Sequence, residues 1–244
     1  MIDKKFEEIK DDICFRLINS EKYKEILEDL PHVEVLDLSA IYYYKKAEGY
    51  KEGAIIDITN EDMKMWDISI EELDKLAREN TVRLLPPVFQ TIEQVIDDIA
   101  NEEGLTSPIE GGQKERMYVL TNREKYYGGG CFLYQGVMEK IAQQLGTDFF
   151  LIPSSTHENI IMPEIGQVTA IKLLDLVADM NARFLEEDEV LSNAIYRYDE
   201  KRKELDMVTL AGRKTDMGDV VLKKTDKKED QILDEGHIAE RKRR

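Results

Sequence analysis

Large apolar residues recur at strand-like and helix-like spacings from Phe6 to Val208 of this 244-residue chain, and there the pattern ends. Residues Thr209 to Arg244 contain no aromatic side chain, few large apolar ones and a dense mixture of both charge signs. Such a segment cannot bury enough surface to offset the entropy of ordering it, so a disordered tail is expected over 209–244. That tail holds ten basic and eight acidic residues, which leaves the body with a formal charge near −19 against −17 for the whole chain. The acidity therefore belongs to the part that folds.

Within the body the spacings predict particular elements. Phe6, Ile9, Ile13, Leu17 and Ile18 recur at three- and four-residue spacing, predicting one amphipathic helix that carries Cys14. A short helix is expected from Glu21 to Leu30, ended by Pro31. Val35–Tyr44 and Ala54–Thr59 read as strands of a hairpin across the glycine-containing loop Lys45–Gly53. Ser69-Ile-Glu-Glu72 and Thr91-Ile-Glu-Gln94 match the capping box, in which a hydroxyl accepts from a free first-turn amide and the later side chain reaches back to the cap amide. They open helices carrying Ile70, Leu73, Leu76 and Ala77, and Ile92, Val95, Ile96 and Ile99, with Pro86-Pro87 as the stop between.

Asn101–Arg116 lacks periodicity and reads as a surface linker. A strand follows at Met117–Thr121, then a flexible loop at Gly128-Gly129-Gly130 and an apolar run at Cys131–Tyr134. Val137, Met138, Ile141, Ala142 and Leu145 form a helical stripe closed by Gly146. Phe149–Ile152 with Asn159–Met162, and Ala194–Tyr198 with Glu204–Val208, read as hairpins on either side of a long helix over 167–184. The expected fold is α+β, with antiparallel-rich sheets and about five or six helices. Two subdomains, 1–100 and 117–208, are expected on either side of the linker 101–116, with the tail 209–244 last.

Composition narrows the function classes. An acidic surface repels the phosphate backbone, so general nucleic-acid binding is disfavoured and a protein partner preferred. The one dense basic cluster, Arg241-Lys242-Arg243-Arg244, is expected to be a solvated tail. Cys14 and Cys131 read as small core residues and make neither a disulfide framework nor a zinc site. The first ten residues lack the apolar core of a signal peptide, and no stretch approaches the ~20 apolar residues of a membrane span, so no membrane contact and a cytoplasmic location are expected.

Several stretches together carry a family likeness: Lys10-Asp-Asp-Ile-Cys-Phe-Arg-Leu-Ile-Asn19, Leu36-Asp-Leu38, Trp66 followed by Glu71-Glu-Leu73 and Glu79-Asn-Thr81, Met117-Tyr-Val-Leu-Thr-Asn122 and Leu151-Ile-Pro-Ser-Ser-Thr-His-Glu158. On these the chain resembles the domain of unknown function 5688 family of anaerobic gut Firmicutes, over roughly Phe6 to Val208. More loosely, the second half is similar to another uncharacterised bacterial family, numbered 1444. The resemblance implies one coherent fold and a bacterial cytosolic setting, and it implies no activity. Thr156 stands where the family usually has an aliphatic residue. Members often carry an additional N-terminal region, so the chain reads as a short member or a fragment.

Four polar residues in one turn, Ser154, Ser155, His157 and Glu158, contain the groups of an acyl-transfer site. Residues so close in one turn seldom align as a nucleophile, a base and an orienting group, and no Gly-x-Ser-x-Gly elbow accompanies them. A polar turn in which the serines cap free amides is the plainer reading. The glycine triplet lacks the lysine and hydroxyl of a phosphate-binding loop, although Tyr126 and Tyr127 before it could stack on a planar ring. Asn122, Tyr127, Gly129 and Tyr134 around that loop, and the lone Trp66, are the candidates for ligand or partner contact. Neither a metal site nor a cofactor is expected, because His32, His157 and His237 are scattered and the acidic runs lack calcium-loop spacing.

The leading expectation is a non-catalytic binding or interaction protein, with a basic partner or a phage or mobile-element role as its finer form. The alternatives are a small serine hydrolase centred on Ser154–Glu158 and a nucleotide-binding regulator using the Gly128 loop.

Overall fold

The computed structural model describes residues 6–45, 55–104, 117–166, 169–187, 189–210 and 220–223. Its first element corrects the opening helix. Phe6–Ile9 (α1) and a 3-10 turn at Lys10–Asp12 give way to a strand, Ile13–Asn19 (β1). Ile13, Phe15 and Leu17 enter the main core, while Cys14, Arg16 and Ile18 point to the opposite face. The period is two, and Phe15 is the residue that the three- and four-residue spacing skipped.

Lys24–Leu27 (α2) is a single turn within the helix expected there. His32–Val35 (β2) and Leu38–Lys45 (β3) form a tight hairpin through Leu36, which adopts a left-handed φ of 60°. The long strand expected from Val35 is thus two strands. Ile55–Asp57 (β4) pairs with β3 as expected, and the connecting residues 46–54 lie outside those described. β3 is the centre of this small sheet, with β1 on one edge and β2 and β4 sharing the other.

Asn60–Trp66 (α3) begins with a capping box, Thr59 with Asp62, that the sequence reading passed over. Ile70–Leu84 (α4) begins with the expected one, in which the Glu72 amide donates to Ser69 Oγ at 3.2 Å. The last turns of α4 guard the open edge of β1. The Phe15 amide donates to Thr81 Oγ1 at 3.0 Å, and Asn80 Nδ2 donates to the Lys10 and Ile13 carbonyls. Edge groups that would otherwise template another strand are thereby satisfied.

Pro87–Thr91 (β5) was not expected; it precedes Ile92–Glu102 (α5), whose Thr91–Gln94 box forms as read. β5 pairs with Tyr118–Asn122 (β6), across residues 105–116 that lie outside those described. Val137–Leu145 (α6), Phe149–Ile152 (β7), Asn159–Pro163 (β8), Ala170–Phe184 (α7), Ile195–Asp199 (β9) and Glu204–Leu210 (β10) follow closely where expected. Within the stretch read as a tail, Val220–Lys223 (β11) pairs antiparallel with β10; residues 211–219 and 224–244 lie outside those described.

The large sheet is antiparallel throughout, in the order β11-β10-β9-β7-β8-β6-β5. Both of its faces are covered, and β7 shows how. Phe149 and Leu151 join the core shared with α6 and the small sheet, while Phe150 and Ile152 join the cluster under α7. The architecture is therefore α+β, with two antiparallel sheets meeting through one core.

Candidate functional site

The two sheets meet at the glycine triplet, and the close approach dictates glycine there. Gly128–Leu133 is a buried 3-10 helix, which corrects the expected flexible loop. A Cβ on Gly128 would lie inside contact distance of the Thr121 hydroxyl and the His157 carbonyl, and 2.9 Å from the Asn122 amide nitrogen. One on Gly129 would lie 2.8 Å from the Ser155 carbonyl, and one on Gly130 2.9 Å from the Phe15 ring. These amides have no room for phosphate. The Gly129 amide already donates to the Thr156 carbonyl at 3.0 Å.

Just before the triplet, the chain turns tightly under the control of Asn122. Its Nδ2 donates to the Tyr126 carbonyl at 2.7 Å and its Oδ1 accepts from the Tyr126 amide at 3.3 Å. Asn122 is fully buried, so its part is to shape the loop. Lys125 and Tyr127 take left-handed φ values of 52° and 53°, a cost of roughly 1–2 kcal/mol each that the surrounding contacts must outweigh.

The strained turn places three rings together. His157 stacks on Tyr127 with centroids 5.8 Å apart and planes 15° apart, and Tyr126 lies 4.1 Å from Tyr127 and 5.6 Å from His157. Tyr43 from the small sheet meets Tyr127 edge-on at 5.6 Å. The guanidinium of Arg16 lies 5.1 Å from the Tyr127 centroid and pairs with Asp57 at 2.9 Å. Burial first, and then the hydrogen bond shared with Tyr126, pushes the Tyr127 phenol well above its ordinary range. It stays neutral at physiological pH.

All of these groups but Tyr43 line an open cavity of about 460 Å³ between the outer face of the small sheet, α2 and the loops of the large sheet. Ile18, Ile41, Ile26 and Leu30 make its apolar part. Arg16, Asp57, Tyr126, Tyr127, Thr156, His157 and Glu189 make its polar part. Of the residues singled out from the sequence, Tyr126, Tyr127 and His157 line this cavity. Arg16 was missed because the helical reading of β1 hid its outward face, whereas Asp57 lies on β4, read as a strand, and gains its place in the site only by pairing with Arg16. Once the period is two, Cys14, Arg16 and Ile18 share a face and the site becomes readable.

Two of the acyl-transfer groups, Ser155 and His157, hold backbone amides. Ser155 is 8 % exposed, and its Oγ accepts from the His157 amide at 3.1 Å. His157 Nδ1 accepts from the Tyr127 amide at 3.2 Å, which places the proton of the neutral ring on Nε2. The Ser154 amide donates to the Ile152 carbonyl. Neither serine hydroxyl forms a hydrogen bond with the imidazole among the described residues. Tyr134 donates to the Leu85 carbonyl at 3.2 Å inside the core. Trp66 packs on Phe6 at 5.5 Å, against the main core.

Burial raises the Glu158 carboxyl above its ordinary range, with His157 and Lys125 opposing the shift. Below the ordinary carboxylate range the group is neutral in both folded and unfolded chains and costs nothing. As pH rises towards the raised folded value, the unfolded chain ionises first and stability is lost. Glu158→Gln is therefore expected to melt higher than the parent at pH 7, with the difference shrinking at pH 4. Thermal melts of both proteins at the two pH values check this.

Among the described residues no three His, Cys, Asp or Glu side chains gather as a metal site requires, and no helix is long and apolar enough to cross a membrane. A family model described as a family of unknown function, DUF5688, matches residues 2–200. No curated protein and no solved structure matches the chain.

Proposed function

Because the chain belongs to DUF5688, a family of unknown function, its role has to be read from its own site, and we propose a non-catalytic binding protein whose site is the cavity between the two sheets. One observation carries this reading. The cavity is open and about 460 Å³ in volume, large enough for a small organic molecule, while Ser155 Oγ and His157 Nδ1 beside it each accept a backbone amide. Its walls combine aliphatic side chains with a few fixed polar groups, the composition that favours burial of a partly apolar ligand.

The test uses the neutral fluorescent naphthalene prodan, whose emission shifts to the blue on leaving water. Saturable binding with one site per chain is expected. Thr156→Trp, which puts an indole into the cavity, is expected to weaken it at least tenfold without lowering the melting temperature. Binding that survives Thr156→Trp unchanged would refute the cavity as the site. Labelling of Ser154 or Ser155 by a fluorophosphonate would instead restore the hydrolase reading.

A further inference from the structure

The charges on the cavity wall are unevenly satisfied. Arg16 and Asp57 neutralise each other at 2.9 Å, and Arg16 also covers the face of Tyr127. Lys22, beside Tyr23, donates to the Glu187 carbonyl and lies 5.3 Å from the Tyr23 ring centroid. Glu189 remains. Its Oε2 accepts the Glu186 amide at 3.4 Å, and it has no ion-pair partner among the described residues. An aromatic and aliphatic cavity with one uncompensated carboxylate on its wall suits a cation.

From this we infer that the ligand is an organic monocation with an apolar body, a protonated amine or quaternary ammonium. The inference rests on the cavity being the binding site. In this arrangement the hydrocarbon lies against Ile18, Ile26, Leu30 and Ile41, and the ammonium faces Glu189. Tyrosine faces attract cations through their ring quadrupole, so Tyr126 adds to the preference. The field of the whole molecule acts in the same direction. A chain of formal charge −17 concentrates cations and repels anions. An anionic ligand would meet a wall whose arginine is already paired and whose remaining charge repels it.

Three probes of nearly one shape separate the possibilities: phenethylammonium, phenethyl alcohol and hydrocinnamate, titrated by calorimetry into the full chain at low salt. The amine is expected to bind at least tenfold more tightly than the alcohol, with hydrocinnamate weakest. Glu189→Gln, which keeps the shape and removes the charge, is expected to bring the amine to the affinity of the alcohol. If the alcohol or the acid binds as tightly as the amine, and Thr156→Trp still weakens it, the cation preference is wrong and the cavity stands. If none of the three binds, or if Thr156→Trp changes nothing, the cavity reading fails as well.

Discussion

Gly128→Ala is expected to be among the most damaging single-methyl additions in this chain, lowering stability by roughly 3 kcal/mol or more. The methyl group would collide with the His157 carbonyl and the Thr121 hydroxyl, and these two already hold each other at 2.7 Å. The carbonyl cannot swing away, because it belongs to the turn that also anchors Tyr127 and Gly129. For a folded body of this size, each kcal/mol moves the melting temperature by about 2–4 °C, so a fall of about 6–12 °C is expected. Gly146→Ala is the control. Gly146 has a φ of 69° and open space around it, so its alanine meets backbone strain alone, about 1–2 kcal/mol. Equal melting temperatures for the two variants would refute the account of the sheet junction.

The second large effect belongs to Asp37, in the tight turn between β2 and β3. Its Oδ2 accepts from Ser192 Oγ and its Oδ1 from the Tyr196 hydroxyl, each at 2.6 Å. Ser192 and Tyr196 are both completely buried. Asp37→Ala would leave two buried hydroxyls without an acceptor, at about 1–3 kcal/mol each. The expected loss is therefore roughly 2–6 kcal/mol. Asp37→Asn keeps one acceptor oxygen and is expected to lose less. Tyr196→Phe removes a single donor and is expected to be the mildest of the three. Chemical denaturation of these variants checks the order, and an Asp37→Ala protein as stable as Tyr196→Phe would contradict it. The same network links the turn of the small sheet to β9 of the large one, so its loss should also loosen the cavity between them.

The helices with capping boxes were legible because a box is a local device. Ser69 with Glu72 and Thr91 with Gln94 satisfy their own first turns whatever packs on them. Thr59 with Asp62 works in the same way and escaped notice because a shorter acid closes the box. The hairpins β7–β8 and β9–β10 were legible from apolar runs separated by polar turns. β1 was not. Its residues alternate between two buried faces, and an apolar strand covered on both sides loses the contrast that distinguishes period two from the helical repeat.

The site was only partly legible for a related reason. Tyr127 and His157 stand in polar loops and attract attention as candidates. Arg16, Asp57 and Glu189 meet them only because the sheets pack together, and that packing depends on glycines whose sequence resembles a flexible loop. The Ser154–Glu158 turn shows the reverse case. Its residue types suggest chemistry, while its hydrogen bonds show a backbone brace.

Backbone amide chemical shifts recorded while prodan is added would locate its binding directly. With the cavity as the site, the largest changes are expected to fall together on its lining residues Arg16, Ile18, Ile41, Tyr127, His157 and Leu191, and to vanish in Thr156→Trp. Changes centred instead on the half-exposed stripe of α5, at Ile92, Val95, Ile96 and Ile99, would contradict it.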